Sequence, residues 1–223
     1  MSPPVFRTVV PVTGVAPRLR HADQLFLLGS CFSDEVGARL AHAGHSVCVN
    51  PLGTLFNPTS MAGCMERLAS GELLDASEVR LDTRTGLFYT FEAGTLHSCE
   101  ERQACLASVN GALEHGRLAL SSSRALFLTL GSAWAYVHRS GTPAASRGIV
   151  ANCHRQPQEE FRRRLLSVDE IAEDIRRAIG AARRCSPNLS KVVLTVSPVR
   201  HWREGALASS RSKAHLLAGA HQV

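Results

Sequence analysis

A serine and a cysteine stand together where an apolar run gives way to a helical pattern. The stretch "FLLGSCFSDEVGARL" (residues 26–40) passes through Gly29, Ser30 and Cys31 and continues with apolar residues about four apart. A hydroxyl just before a helix can be an N-cap that accepts a backbone amide. It can also be a nucleophile, because the first helix amides then face the developing oxyanion. Position alone favours the N-cap.

Cys31 is the rival nucleophile at this point, since a helix N-terminus lowers the pKa of a thiol. Its side chain leaves the backbone one residue after Ser30 and so points elsewhere. Free cysteines are commonly buried as small apolar groups. We therefore expect Cys31 to be packed rather than reactive.

Two further segments carry groups that could bind an oxyanion. In "NPLGTLFNP" (residues 50–58), the amide of Gly53 could approach a ligand because no Cβ stands in the way, or Gly53 could serve a plain turn. In "ANCHRQP" (residues 151–157), Asn152 could donate to an oxyanion or shape a turn. His154 beside it could be a base or a surface residue.

A histidine at the end of an apolar run is a candidate general base. His201 follows "KVVLTVSPV" in the segment "SPVRHW", and Glu204 is the nearest carboxylate that could orient it. His138, after the weaker run "AWAYV", competes for such a position. A lone histidine is more often structural, so both interpretations stay open.

The elements that must position these groups follow from hydrophobic periodicity. Short apolar runs predict strands at residues 24–30, 45–50, 124–132 and 191–199. Helical patterns lie at residues 33–44, 58–71, 99–116 and 207–220. Another helix is predicted after the capping box "SVDE" at residues 167–170. In the first helix we expect an apolar face of Phe32, Val36, Leu40 and Ala43. Residues 78–92 predict a hairpin.

Buried strands separated by helices predict an α/β fold, with a parallel sheet covered by helices on both faces. In such sheets, functional groups collect at the carboxyl ends of the strands. "GSCF", "TLGSAW" and "TVSPVRHW" each lie at such an end. Length and the 44% apolar content suit one domain spanning residues 1–223.

Composition narrows the class of protein. No apolar run approaches the length of a membrane span, and the N-terminus shows no signal-peptide pattern. Seven cysteines without CxxC spacing argue against disulfides and zinc. We expect a cytoplasmic protein with reduced thiols, no membrane partner, no metal and no cofactor.

The net charge of +6 is concentrated in residues 138–223, with the densest cluster at Arg162, Arg163 and Arg164. A basic surface could meet nucleic acid. Only 5% of residues are aromatic, however, and no RNA- or DNA-binding motif is present. We expect the arginines to form a solvated helix face, and nucleic-acid binding remains a minor alternative.

Five segments together resemble the GSCFA family, which is related to SGNH (GDSL-type) hydrolases. They are "LGSCFSDEVGARL", "VNPLGTLFNP", "TLGSAWAY", "VANCHRQP" and "TVSPVRHWREGALASSRSKAHL", and the likeness spans residues 6–216. The resemblance implies a flavodoxin-like three-layer sandwich and ester hydrolysis or acyl transfer. It does not carry over a substrate, and we expect an acyl ester of a small molecule or glycan. It implies Ser30 as nucleophile, with its own amide and that of Gly53 as oxyanion donors.

The sequence departs from the SGNH pattern in two places. Gly131-Ser132-Ala133 lacks the asparagine expected after the glycine, and Asn152 could supply that amide instead. No Asp-x-x-His follows Leu216, where SGNH enzymes carry the general base. We expect a domain shortened at its C-terminal end. Otherwise His201 is the candidate that takes the role of the base. A non-catalytic binding module that has lost its base is the alternative.

Overall fold

The computed structural model of the chain describes residues 18–143, 146–200 and 204–223. These residues form strands β1 (Gln24–Gly29), β2 (Ser46–Val49), β3 (Arg80–Asp82), β4 (Leu87–Tyr89), β5 (Ser123–Leu130), β6 (Trp134–His138), β7 (Phe161–Leu165) and β8 (Lys191–Val196). They also form helices α1 (Cys31–His42), α2 (Pro58–Ser70), α3 (Arg102–Ser121), α4 (Val168–Cys185) and α5 (Ala206–His221).

Four strands build the central sheet in the order β2-β1-β5-β8, and all three pairings are parallel. The predicted α/β fold is confirmed. The chain runs from β1 outward to β2 and then returns to β5 on the other side of β1. The order therefore reverses between β1 and β5, and in doubly wound sheets the ligand crevice lies outside the carboxyl ends at such a switch point.

Helices cover both faces of this sheet. Alternate residues of β1 point to opposite sides: Leu25 and Leu27 join the cluster under α1, while Phe26 and Leu28 join the larger core. That larger core includes residues of α2, α3 and α4 and one leucine of α5, Leu216.

The buried face of α1 differs from the predicted one. Phe32 is 48% exposed, whereas Ser33 and Gly37 are buried. A Cβ placed on Gly37 would lie 2.4 Å from Cγ2 of Val49, so the missing side chain lets the helix approach β2 closely. Val36 and Leu40 contact the cluster from the sides of this face.

The capping box before α4 is confirmed, because the Ser167 hydroxyl accepts from the Glu170 amide and the Glu170 carboxylate accepts from that of Ser167. On α5, Leu207 and Leu217 are exposed, while Leu216 is fully buried. In the described ranges, no helix combines the length and apolar character needed to cross a bilayer.

Outside the central sheet, β3 and β4 form the predicted antiparallel hairpin, and β6 pairs with β7. The predicted helix face for the arginine cluster is wrong, because Arg162, Arg163 and Arg164 lie on β7. Arg163 stacks 3.9 Å from the ring centre of Trp134, and Arg164 forms a 2.8 Å ion pair with the capping-box carboxylate. Their partners come from neighbouring elements, which a local charge pattern does not reveal.

Candidate active site

Ser30 occupies the N-cap position of α1 without using its side chain as a cap. It directly follows β1, has an extended backbone and is 4% exposed. Its hydroxyl makes no capping hydrogen bond and instead lies 3.2 Å from Oγ1 of Thr129. The Ser30 hydroxyl is therefore not occupied by a capping hydrogen bond to the backbone of α1.

Thr129 of β5 is the centre of a small hydroxyl network. Its Oγ1 accepts from the Ser30 amide at 2.9 Å and lies 2.8 Å from Oγ of Ser33. The Ser30 amide also donates to the Thr129 carbonyl at 3.0 Å. Since β1 and β5 flank the switch point, this network lies at the position where doubly wound sheets generally bind their ligands.

Gly29 brings the two strands close enough for these bonds. Its φ is +141°, and a Cβ placed on it would lie 2.3 Å from the Thr129 carbonyl oxygen. Only glycine avoids that overlap. The requirement is for space against β5 as well as for backbone freedom.

Asn50, after β2, holds the same turn from the other side. Its Oδ1 accepts from the Gly29 amide at 2.7 Å, and its Nδ2 donates to Oδ1 of Asp34 at 2.7 Å. It is 6% exposed, with a left-handed φ of 42°, a conformation that asparagine tolerates better than most residues. Sequence reasoning quoted this segment but missed Asn50. An asparagine directly after a strand was the available signal.

Gly131, after β5, forms one wall beside the serine. A Cβ placed on it would lie 3.3 Å from Cβ of Ser30 and 3.0 Å from the ring of Phe56. The Phe56 carbonyl accepts from the amides of Gly131 and Ser132. Phe56 is 38% exposed, so an accessible apolar ring lies next to the wall of the site.

The structure places Gly53 after β2, at the same carboxyl edge as Ser30. Its amide donates to the carbonyl of Asn50 at 2.7 Å, in a tight turn. A Cβ on Gly53 would lie 3.2 Å from Cα of Gly94, so the glycine also permits close backbone packing. Its oxyanion role stays a prediction, and it requires this amide to be shared or redirected on binding.

Asn152 takes part in a turn rather than in a contact with Ser30. Its Oδ1 accepts from the His154 amide at 2.8 Å, and within the described residues no hydrogen bond joins it to Ser30. Its predicted role as oxyanion donor stays untested. His154 is 8% exposed rather than a surface residue, and its Nε2 contacts the Ala93 carbonyl at 2.9 Å. Burial lowers the pKa of its ring.

The predicted base, His201, lies outside the described residues. In the described part of the chain, no imidazole or carboxylate is hydrogen-bonded to the Ser30 hydroxyl. The expected orienting group, Glu204, pairs with Arg163 at 3.3 Å, while its Oε2 is buried with no hydrogen-bond partner among the described residues. His138 packs on Phe91, which is buried with Tyr89 and Phe161 in a separate small cluster, and contacts Ser140.

The cysteines behave differently from Ser30. All seven are free thiols, and Cys31 is exposed, so the expectation that it packs is wrong. At the start of α1 the inward position falls to Ser33, which leaves Cys31 on the outer side. Burial raises the pKa of Cys48 to about 11 and of Cys64 to about 12, which keeps both protonated.

Helix α5 contributes residues to this edge that sequence reasoning did not select. Ser212 Oγ accepts from the Ala133 amide at 2.8 Å, and Lys213 Nζ donates to the Gly131 carbonyl at 2.6 Å. Among residues 18–143, 146–200 and 204–223, no three His, Cys, Asp or Glu side chains cluster as a metal site.

Comparison with known proteins gives one match. A protein-family model described as "GSCFA family" matches residues 24–223, a range that begins with β1 and includes all of the elements above. No curated protein and no solved structure matches the chain.

Proposed function

The chain belongs to the GSCFA family, and from that premise we propose that it is an SGNH-like acyl-ester hydrolase or acyltransferase with Ser30 as its nucleophile. One observation carries the proposal: Ser30 occupies an N-cap position at the switch point of the sheet, yet its hydroxyl makes no cap hydrogen bond. The Ser30 side chain therefore does not act as a helix N-cap, which is the commoner role of a serine at this position.

In the proposed reaction, Ser30 Oγ attacks the ester carbonyl while a general base takes the hydroxyl proton. The tetrahedral intermediate expels the alcohol, which leaves with that proton, and an acyl-serine remains. Water then attacks to give the acid, or a second alcohol attacks to give a new ester. We keep His201 as the proposed base, since it follows β8 in sequence and β8 is parallel to β1 and β5 in the sheet.

The start of α1 supplies suitable oxyanion donors. The first amides of a helix have no acceptor within it. Those of Cys31 and Phe32 have no hydrogen-bond partner among the described residues, whereas those of Ser30 and Gly53 have carbonyl acceptors. We therefore propose that the Cys31 and Phe32 amides donate hydrogen bonds to the oxyanion. The positive end of the dipole of α1 lies at the same place.

A non-catalytic binding module is the second candidate. The observation in its favour is that no base is hydrogen-bonded to Ser30 in the described part of the chain. Nucleic-acid binding has less support, because Arg163 and Arg164 of the basic cluster are already paired with carboxylates.

The test combines labelling with kinetics. The purified chain is treated with a fluorophosphonate, and the modified peptide is located by mass spectrometry. Rates are then measured on p-nitrophenyl esters for the parent, Ser30→Ala and His201→Ala. We expect label on Ser30 and a loss of roughly a thousandfold or more in kcat for both variants. Ser123→Ala is the matched control, since Ser123 is a buried serine at the opposite end of β5. Ligand binding without labelling or turnover would favour the binding module.

A further inference from the structure

Lys213 is held at the carboxyl end of β5 by the packing of α5. The residue before it, Ser212, is 2% exposed and bonded to the Ala133 amide, which fixes the helix against the strand end. Lys213 Nζ then donates to the Gly131 carbonyl at 2.6 Å. Gly131 packs directly on Ser30, so a single residue separates the lysine from the proposed nucleophile.

The ammonium group of Lys213 has hydrogen-bond donors without a partner among the described residues. An ammonium group has three donors, and the structure gives one of them a partner, the Gly131 carbonyl. Among the described residues no carboxylate lies within ion-pairing distance of Nζ. Glu204 is the acidic group whose charge acts on it, and Glu204 is paired with Arg163. Burial lowers the pKa of Lys213, as expected for a cation that has lost part of its hydration.

The contacts through Gly131 set an upper limit on the distance from Lys213 to Ser30. Covalent bond lengths through Gly131 keep Nζ within roughly 10 Å of the Ser30 Cβ. An acyl chain of about six carbons can cover such a span. The half-exposed ring of Phe56, against the same glycine, offers apolar surface to the methylene groups of the chain.

From these contacts we infer that Lys213 binds an anionic group at the far end of the acyl chain. The preferred substrates of the Ser30 site are then esters of dicarboxylic acids rather than of simple fatty acids. This inference rests on the proposed function, in which Ser30 is the nucleophile. The inference adds to that function a substrate class and a specificity-determining residue.

The test compares two esters that differ in one charge: the mono-p-nitrophenyl ester of adipic acid, and the same compound with its free carboxylate methylated. We expect the parent chain to prefer the charged ester. Lys213→Met should lower kcat/KM for the charged ester roughly tenfold or more, because a charge-assisted hydrogen bond is lost. The rate on the neutral ester should change by no more than about twofold, which also shows that the variant is folded.

Two variants act as controls. Lys213→Arg keeps the positive charge and should retain most of the preference for the charged ester. Lys191→Met removes the only other lysine, at the start of β8 on the opposite edge of the sheet, and should change neither rate. If Lys213→Met lowers both rates equally while its circular dichroism and melting are unchanged, the inference is overturned. The lysine then serves the chemistry and not charge recognition.

A binding measurement separates this inference from the proposed function. Adipate is titrated by calorimetry into the Ser30→Ala protein and into the double variant that also carries Lys213→Met. Binding that is weakened in the double variant supports the role of Lys213, even if the parent chain hydrolyses no ester and the proposed function fails. Equal binding by the two proteins rejects the role of Lys213, whatever the parent chain hydrolyses.

Discussion

The hydroxyl oxygens of Ser30 and Thr129 lie 3.2 Å apart and join β1 to β5 at their carboxyl ends. The same threonine Oγ1 accepts from the Ser30 amide and contacts Ser33, so one side chain fixes the start of α1. Thr129 touches the proposed nucleophile without being able to remove its proton at neutral pH. We regard it as a positioning residue.

Replacing Thr129 by valine should therefore misplace Ser30. The buried Ser33 hydroxyl loses its partner, at a cost of about 1–3 kcal/mol in the free energy of unfolding. Thr129→Ser keeps the hydroxyl and is the matched control, with a smaller loss from the missing methyl. Urea denaturation measures both, and ester kinetics should show a lower kcat for the valine variant. Equal stability of the two variants would show that the hydroxyl network contributes little.

Gly29→Ala should be among the most damaging single changes in the chain. The added Cβ would lie 2.3 Å from the Thr129 carbonyl oxygen, so β1 and β5 must separate or the turn must rebuild. Gly86→Ala is the control, because Gly86 also has a positive φ but nothing within 4 Å of an added Cβ. The Gly86→Ala variant should lose only about 1–2 kcal/mol in the free energy of unfolding, because of backbone strain. We expect the Gly29 variant to melt at a clearly lower temperature or to be recovered as insoluble protein.

Asn50 and Asp34 provide a test by exchange of side chains. Asn50→Asp replaces the amide donor that faces Asp34 with a second carboxylate, and like charges then share a buried edge. We expect a loss of stability at neutral pH that becomes smaller in acid, where one of the two carboxylates binds a proton. Adding Asp34→Asn restores a donor–acceptor pair in the reverse direction. Additive losses in the double variant, measured by urea denaturation, would contradict this.

His154 should make the stability of the protein depend on pH. Burial holds its folded-state pKa below the usual 6.5, so the unfolded chain binds a proton first as the pH falls. The contribution of His154 is therefore intact above about pH 6.5 and is lost as the pH falls toward the folded-state pKa.

The variant His154→Asn suits the left-handed backbone at this position and should reduce that dependence. At neutral pH it loses the contact with the Ala93 carbonyl, which costs about 1 kcal/mol. The difference in the free energy of unfolding between the variant and the parent should become smaller in acid. Urea denaturation across this pH range is the measurement. His221→Asn, at an exposed position, is the control for the same replacement without loss of a buried contact.

Local sequence patterns determined the elements of the main sheet. The apolar runs at β1, β5 and β8 and the capping box before α4 were readable because strand burial and helix capping depend on residues within a few positions of one another. The predicted positions of Ser30 and Gly53 at one edge follow from the same patterns, since parallel strands end together. The arginine cluster was misassigned, because three consecutive charges carry no period that separates strand from helix.

The tertiary structure decided which groups surround Ser30. Thr129 stands 99 residues from it along the chain, and Lys213 stands 82 residues from the glycine that it contacts. Neither pairing leaves a local signal, because each depends on the order of strands in the sheet and on where α5 packs. The same holds for the free hydroxyl of Ser30: the sequence alone favoured a helix cap, and only the nearby Thr129 oxygen provides a different partner. Residue types and periodicity thus fixed what each segment could become, whereas non-local packing chose which side chains meet.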